Sequence, residues 1–155
     1  MSSITKNFSW EEMFKSTTAE KNGINNASTD ITVLFNIKTL VEKVLQPVRD
    51  EFGPIKILSG YRCPELNTKV GGSSTSNHVY GTTADIESLN GTPLIDIIEW
   101  IDTNLTYKEL IAEYLPDGWI HVCHDIYDNK RSLKLKTKEV NYRRLTISEL
   151  REFYK

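Results

Sequence analysis

Residues 58–86 read LSGYRCPELNTKVGGSSTSNHVYGTTADI, and residues 118–122 read GWIHV. These two segments contain His78, Asp85 and His121, and so two of the three histidines of the chain. A catalytic zinc site uses three protein ligands of these types and keeps one position open for water, whereas structural sites are closed, usually by cysteines. The two segments therefore predict a metallohydrolase.

Residue alternation along two predicted strands places two of these side chains together. Asp85 alternates with alanine and isoleucine, and His121 alternates with isoleucine and valine. If the apolar residues face the core, Asp85 and His121 share the open face of a sheet. His78 precedes Asp85 by seven residues and is expected on a loop that turns back over the strand end. His124 has the opposite parity to His121 and is the poorer ligand candidate.

The first third of the chain has helix signals. Ser9 and Glu12 form a capping box, which predicts a helix over about 10–21. Apolar residues at intervals of three and four predict a second, amphipathic helix over 31–52. Pro47 should kink this helix or divide it in two, because proline lacks the backbone N–H that an interior helix position donates.

The rest of the chain combines strands with two helices. Thr92 as N-cap and Pro93 at the first position predict a helix to about Leu105, and a capping box of Thr146 and Glu149 opens a last short helix. Strands are predicted over 55–61, 82–88, 109–114, 118–126 and 132–140. Strands cluster after the helices without βαβ alternation, which predicts an α+β fold. Helices should pack on a small, largely antiparallel sheet, with the zinc site on its open face.

Length and composition are ordinary for one globular domain. The 155 residues are 39% hydrophobic and 26% charged, enough to bury one core, so residues 1–155 are expected to form a single domain. The formal net charge of −2 and the scattered basic residues predict no nucleic-acid partner. The lysine-rich segment 130–138 is interpreted as a solvated edge strand. A monomer is favoured, although the sequence leaves the oligomeric state open.

Cysteine usage and the chain termini suggest where the protein is made. Cys63 and Cys123 lie in no CxxC motif and imply no disulfide framework, and free thiols fit synthesis in a reducing compartment. The sequence shows no secretory signal peptide and no apolar run long enough to span a bilayer. We therefore expect synthesis in a cytoplasm, and if the substrate lies outside it, another factor must deliver the protein.

Several motifs together resemble one enzyme family. They are SGYR at 59–62, Asn67, VGG at 70–72, S-x-H-x-x-G at 76–81, AD-I at 84–86 and W-I-H-V at 119–122. The chain resembles the zinc D-Ala-D-Ala carboxypeptidase family, particularly its compact phage-encoded members that cut bacterial cell-wall peptides. The resemblance extends to NFSWEEMFKSTTAEKNGINN and VLQPVRDEFG and covers roughly residues 7–125. Each residue alone has an ordinary structural interpretation, but their joint occurrence favours a site.

The resemblance implies that five residues bind the metal or the substrate. His78, Asp85 and His121 would bind one Zn²⁺. Arg62 would hold a carboxylate of the substrate peptide, a role that suits guanidinium because it pairs with carboxylates in a bidentate manner. Ser76 would hydrogen-bond the substrate near the metal. By the same resemblance, Asn67 and the two glycines after Val70 would shape the loop.

The general base has two candidates. Related phage enzymes carry a glutamate in an L-I-x-E strand shortly before W-x-H, and LIAE in this chain ends in Glu113. More distant relatives carry the glutamate closer to the last histidine, where this chain has Asp117 and Gly118. We favour Glu113 and retain Asp117 as the alternative.

The resemblance implies zinc-dependent hydrolysis of stem peptides in bacterial peptidoglycan, in phage lysis or wall penetration. A D,D-carboxypeptidase and an endopeptidase of the L-Ala-D-Glu type are both compatible with the sequence. Two other classes of protein remain as alternatives. One is a catalytically inactive module that binds wall peptides, and the other is a structural component of a virion with the same fold.

Overall fold

A computed structural model describes residues 2–155. Its helices are α1 (Trp10–Phe14), α2 (Thr17–Lys21), α3 (Ile31–Leu40), α4 (Gln46–Phe52), α5 (Pro64–Lys69), α6 (Leu94–Asn104) and α7 (Ile147–Phe153). Its strands are β1 (Ile55–Ser59), β2 (Thr83–Ser88), β3 (Glu109–Glu113), β4 (Trp119–Cys123), β5 (Ser132–Lys136) and β6 (Arg143–Arg144). A π-helical segment, Val41–Leu45, joins α3 to α4, and a 3₁₀ turn, Asn77–Tyr80, precedes β2.

The six strands form one sheet in the order β1-β2-β4-β3-β5-β6. Every neighbouring pair is antiparallel except β3 and β5, which are parallel. The predicted α+β fold with a largely antiparallel sheet is therefore confirmed. None of the helices in residues 2–155 is long and apolar enough to cross a membrane.

One face of the sheet packs into the hydrophobic core. The strand residues that belong to the core cluster alternate along β2 to β5, as the period of two requires, and they are Ala84, Ile86, Leu110, Ala112, Ile120, Val122, Leu133 and Leu135. Helix residues including Leu40, Val44, Val48, Ile97 and Ile101 are buried in the same cluster. Burying a valine, leucine or isoleucine side chain stabilises the fold by about 1.5–3 kcal/mol. Because a slip of one residue would move these side chains to the other face, their burial fixes the register of the strands. The other residues of each strand are left on the opposite face.

The first predicted helix is wrong at its centre, because α1 ends at Phe14 and α2 begins at Thr17. The Met13 carbonyl accepts a hydrogen bond from the Tyr61 backbone N–H, and the Phe14 carbonyl accepts one from Asn26 Nδ2. These carbonyls would otherwise bond within a longer helix. Ser16 then caps α2 by accepting from the Ala19 N–H. The break ties the segment after β1, which carries Arg62, to the helical layer.

The helix interruption that Pro47 predicts lies just before the proline. The helix continues through Val41–Leu45 with π geometry, and the Gln46 N–H bonds the Val41 carbonyl five residues earlier. Pro47 then occupies the first turn of α4, where no intrahelical donor is needed. The predicted helix therefore becomes three consecutive helical segments with one buried face.

Other predicted boundaries change by a few residues. The N-cap position of α6 is Pro93 and not Thr92, and no side chain caps this helix. The Thr92 hydroxyl donates to Asn90 Oδ1 instead. Strands β4 and β5 are shorter than predicted. The interpretation of 130–138 as an edge strand is wrong, since β5 lies between β3 and β6. Both cysteines are free thiols, as expected.

Candidate metal centre and substrate groove

Three polar side chains converge on the open face of the sheet. Asp85 on β2 and His121 on β4 are direct partners in the antiparallel register, so the predicted parity is confirmed. His78 comes from the 3₁₀ turn, which Ser76 begins by accepting from the His78 N–H. One ligand atom from each of the three residues lies within 4.8 Å of the others, and the group could hold a metal ion.

The backbone orients the His78 ring. His78 Nδ1 lies 2.8 Å from the Gly60 carbonyl oxygen, which can only accept, so Nδ1 carries the proton. The other ring nitrogen, Nε2, lies 3.4 Å from Asp85 Oδ2. Glycine is needed at position 60 because α1 passes close to it, and a Cβ there would lie 2.6 Å from the Met13 carbonyl oxygen. Such an outer hydrogen bond is typical of a histidine that binds metal.

His121 lies between two carboxylates. Its Nδ1 is 3.1 Å from Asp85 Oδ1, and its Nε2 is 3.2 Å from Glu109 Oε1. Burial lowers the pKa of His121, but contacts with Asp85 and Glu109 outweigh burial and raise this pKa to about 9. Burial also raises the pKa of Asp85, yet contacts with His121 and His78 hold it well below its usual value. The site thus stabilises positive charge, and a metal cation would replace a proton here.

Arg62 borders the three residues on the β1 side. The Arg62 Nη2 atom lies 3.6 Å from Asp85 Oδ2. Two hydrogen bonds hold the guanidinium in place: Nε donates to Ser59 Oγ at 3.1 Å, and Nη1 donates to Asn67 Oδ1 at 3.4 Å. Asn67 also donates to the Ser73 carbonyl. A Cβ at Gly72 would lie 2.1 Å from Asn67 Oδ1, so glycine is needed there. These contacts agree with the expectation that Asn67 shapes the loop.

Glu113 is buried at the end of β3, opposite Trp119 in the register. The Trp119 indole N–H donates to the Glu113 carboxylate. Burial raises the pKa of Glu113, which suits a group that must accept a proton. A side chain at Gly118 is excluded, because its Cβ would lie 1.8 Å from the Glu113 carbonyl oxygen.

A groove of about 560 Å³ contains these residues. It is lined by the predicted residues Arg62, Ser76, His78, Asp85, Glu113 and His121, and also by Glu109, Trp119, Lys134 and Tyr142. Asp117 lines a different cavity, beside Leu115 and Pro116. His124 is buried near Thr106, 3.4 Å from its hydroxyl.

Sequence reasoning missed part of the groove. Glu109 has the same strand parity as Glu113, and this signal could have identified it. Lys134 belongs to the segment that was interpreted as a solvated edge, and Tyr142 precedes the two-residue strand β6, which was not predicted. Neither residue has a local sequence signal for a site, because only long-range strand pairing brings them to the groove.

A His-Asp-His set in a groove with a buried glutamate is the arrangement of a mononuclear metallohydrolase centre. A family model, Peptidase M15, matches residues 6–123. This chain therefore belongs to the Peptidase M15 family, whose members are zinc metallopeptidases. The resemblance to zinc D-Ala-D-Ala carboxypeptidases is confirmed at the level of the family, and zinc is the cofactor. No curated protein matches the chain significantly.

Proposed function

We propose that this protein hydrolyses peptide bonds in the stem peptides of bacterial peptidoglycan, with one zinc ion held by His78, Asp85 and His121. The observation that carries the proposal is the convergence of these three donors in a groove that also contains the buried Glu113. Membership of the Peptidase M15 family supports peptidase activity on substrates of the peptidoglycan type.

The donor set fits zinc, because two imidazoles and one carboxylate leave a tetrahedral position free. Bound zinc lowers the pKa of water toward about 7 and polarises a carbonyl. The protein positions the three ligand side chains. Gly60 fixes the proton of His78 on Nδ1, and the strand register keeps Asp85 beside His121.

Glu113 is the proposed general base. Its carboxylate would take a proton from the attacking water and later give a proton to the departing amine. Trp119 holds this carboxylate in place through its indole N–H. Asp117, the alternative candidate, lines another cavity, which supports the choice of Glu113.

Arg62 and Ser76 are the proposed substrate-binding residues. The Arg62 guanidinium has 18% of its side chain exposed, so it can meet a peptide carboxylate in the groove. Bidentate pairing would fix the peptide and bring its carbonyl to the reacting position. Ser76 lines the same groove two residues before His78 and would hydrogen-bond the peptide there.

The groove crosses the sheet. Arg62 follows β1, Asp85 and His121 lie on β2 and β4, and Lys134 lies on β5, so the strand order separates Arg62 from Lys134. A peptide could therefore extend to both sides of the metal. The same machinery serves a D,D-carboxypeptidase or an endopeptidase of the L-Ala-D-Glu type. We propose that it acts in phage lysis or wall penetration.

The proposed unit is one peptidase domain that comprises residues 1–155 and acts as a monomer, without nucleic acid. A single hydrophobic cluster that includes residues from Phe8 to Leu150 supports the single domain. The formal net charge of −2, with basic residues scattered along the chain, supports the absence of a polyanion partner.

The test is digestion of purified peptidoglycan from several bacterial chemotypes, followed by mass spectrometry of the new amino and carboxyl termini. We expect a single type of cleaved peptide bond, loss of cleavage with a chelator, and recovery when zinc is added. Glu113→Gln is the matched control, since it should retain zinc and cleave about 10²- to 10⁴-fold more slowly at the same enzyme concentration. Binding to the wall without any new terminus would identify a binding module instead, and cleavage by Glu113→Gln at the rate of the unmodified protein would reject the proposed base.

A further inference from the structure

His121 has two ring nitrogens, and each faces a different carboxylate. Nδ1 lies 3.1 Å from Asp85 Oδ1, and the other oxygen of the same carboxylate, Oδ2, lies 3.4 Å from His78 Nε2. Nε2 is buried and forms no hydrogen bond of regular geometry within residues 2–155, but Glu109 Oε1 lies 3.2 Å from it. A buried imidazole N–H without an acceptor would be costly, so the nearby carboxylate is the group that can satisfy it.

Glu109 is itself held from its other side. Its second oxygen, Oε2, accepts a hydrogen bond from Lys134 Nζ at 2.6 Å. Both side chains are shielded, with 19% of Glu109 and 28% of Lys134 exposed. A half-buried pair of this geometry restricts the carboxylate more than a solvent-exposed pair does. The contacts form a chain from Lys134 through Glu109 to His121.

We propose that Glu109, fixed by Lys134, is a positioning residue that holds His121 with Nε2 protonated and Nδ1 available to the metal. The inference rests on the proposed metal site and adds the group that orients one of its ligands. Glu109 acts through His121 and touches neither the metal nor the substrate in this role. The carboxylate accepts a hydrogen bond from Nε2–H and thereby prevents the ring from presenting Nε2 to the metal.

Glu109 does not serve as a fourth ligand. It meets the ring at Nε2, whereas the cluster of possible ligand atoms comprises His78, Asp85 and His121 and does not include Glu109. Histidine ligands commonly donate their second N–H to a carboxylate, and losing that partner typically costs 10- to 100-fold in metal affinity. The geometry of Glu109 matches this outer position.

Lys134 comes from outside the segment that matches the family. The match ends at residue 123, and β5, which carries Lys134, begins at Ser132. The parallel pairing of β3 with β5 brings Lys134 beside Glu109. Part of what positions His121 therefore comes from β5, a strand that the family match does not cover.

The test is the zinc dissociation constant of four variants, measured by competition with a chromophoric chelator. Glu109→Ala removes the acceptor and should weaken zinc binding about 10- to 100-fold. Glu109→Gln keeps a carbonyl acceptor of the same size and should fall between Glu109→Ala and the unmodified protein. Lys134→Met leaves the carboxylate and should weaken binding less than Glu109→Ala. Glu99→Gln, which removes the carboxylate that pairs with Arg151 far from the groove, is the matched control and should bind zinc normally.

Nitrogen NMR of the zinc-loaded protein gives a second readout, the tautomer of His121. We expect the proton on Nε2 and the metal on Nδ1. A proton on Nδ1, or equal zinc affinity of Glu109→Ala and the unmodified protein, would overturn the inference. If Glu109→Ala fails to fold, the isosteric Glu109→Gln supplies the affinity comparison, and unchanged affinity there overturns the inference as well.

The failure of this inference can be distinguished from the failure of the proposed function. If the unmodified protein binds no zinc, the proposed metal site is wrong and the inference falls with it. If the unmodified protein binds zinc and cuts wall peptides while Glu109→Ala binds zinc equally well, only the positioning role is rejected. A loss of thermal stability in Glu109→Ala without a change in zinc affinity would mean that Glu109 merely ties β3 to β5.

Discussion

The segment that matches the Peptidase M15 family, residues 6–123, and the segment that follows it contribute differently to the groove. The first contains all the residues proposed for chemistry, including the three metal-binding candidates and Glu113. The second adds β5 beside β3 and β6 beside β5, and it contributes Lys134 and Tyr142 to the groove. The reacting centre and one wall of its groove therefore come from different parts of the chain. Substitutions of the metal-binding candidates or Glu113 in the first segment should abolish zinc binding or turnover, and substitutions in the second segment should mainly alter the affinity for zinc or for the substrate.

The largest effect is expected for a metal ligand in the first segment. His121→Gln should lose most of the bound zinc and all measurable peptidase activity, because an amide is a poor replacement for imidazole on zinc. Zinc content by atomic absorption and cleavage of peptidoglycan are the measurements. The matched control is His124→Gln, the same change three residues later at a buried histidine outside the groove. The assignment would be reversed if His124→Gln lost the metal and His121→Gln kept it.

The next largest effect is expected for the proposed general base, where a substitution should impair turnover without loss of zinc. Glu113→Gln should retain zinc but lower kcat about 10²- to 10⁴-fold, because glutamine fills the same space without accepting a proton. Asp117→Asn should have a mild effect, since Asp117 lines a different cavity. The measurements are kcat on a soluble stem peptide and the zinc content of each variant. An inactive Asp117→Asn beside an active Glu113→Gln would assign the base to Asp117.

A smaller effect is expected for the groove wall on the β1 side. Arg62→Lys and Arg62→Ala should both lower kcat/KM by about 10- to 100-fold, because a charge-assisted contact contributes about 1.5–3 kcal/mol. The lysine variant should be nearly as impaired as the alanine variant, since lysine lacks the planar fork of guanidinium. Zinc content and circular dichroism should be unchanged. Normal turnover of Arg62→Lys would show that bidentate recognition is not the role of Arg62.

The smallest effect is expected for the wall that the second segment supplies. Tyr142 is partly exposed in the groove, and Lys136 Nζ lies 4.1 Å from the centre of its ring. Tyr142→Ala should raise KM by roughly 2- to 10-fold, since an aromatic contact contributes about 0.5–1.5 kcal/mol. Tyr142→Phe keeps the ring and should preserve KM. A fall in kcat with unchanged KM would place Tyr142 in the reacting centre and remove the contrast between the two segments.

The part of the site that the sequence could predict depends on local patterns. Strand alternation is a property of the extended backbone, so the apolar neighbours of Asp85 and His121 were enough to place both on one face. The family resemblance added Arg62, Ser76 and His78, and all three line the groove. The capping boxes at Ser9 and Thr146 were also predicted correctly, because each depends on two residues three positions apart.

The errors come from interactions between distant parts of the chain. No local pattern shows that Tyr61 and Asn26 bond the carbonyls at the end of α1 and stop that helix. Likewise, the lysines of β5 resemble a solvated edge, but strand pairing places β5 inside the sheet and Lys134 against Glu109. Sequence periodicity reports which face of a strand is buried, and it does not report which strand lies beside it.

The central claim is that one zinc ion bound by His78, Asp85 and His121 makes this protein a peptidase. The most direct test is anomalous diffraction from crystals of the zinc-loaded protein, recorded on both sides of the zinc absorption edge. We predict a single zinc peak at about 2.0–2.2 Å from a nitrogen of His78, an oxygen of Asp85 and a nitrogen of His121. A peak on His124, or zinc-loaded crystals with no peak among these three residues, would contradict the account.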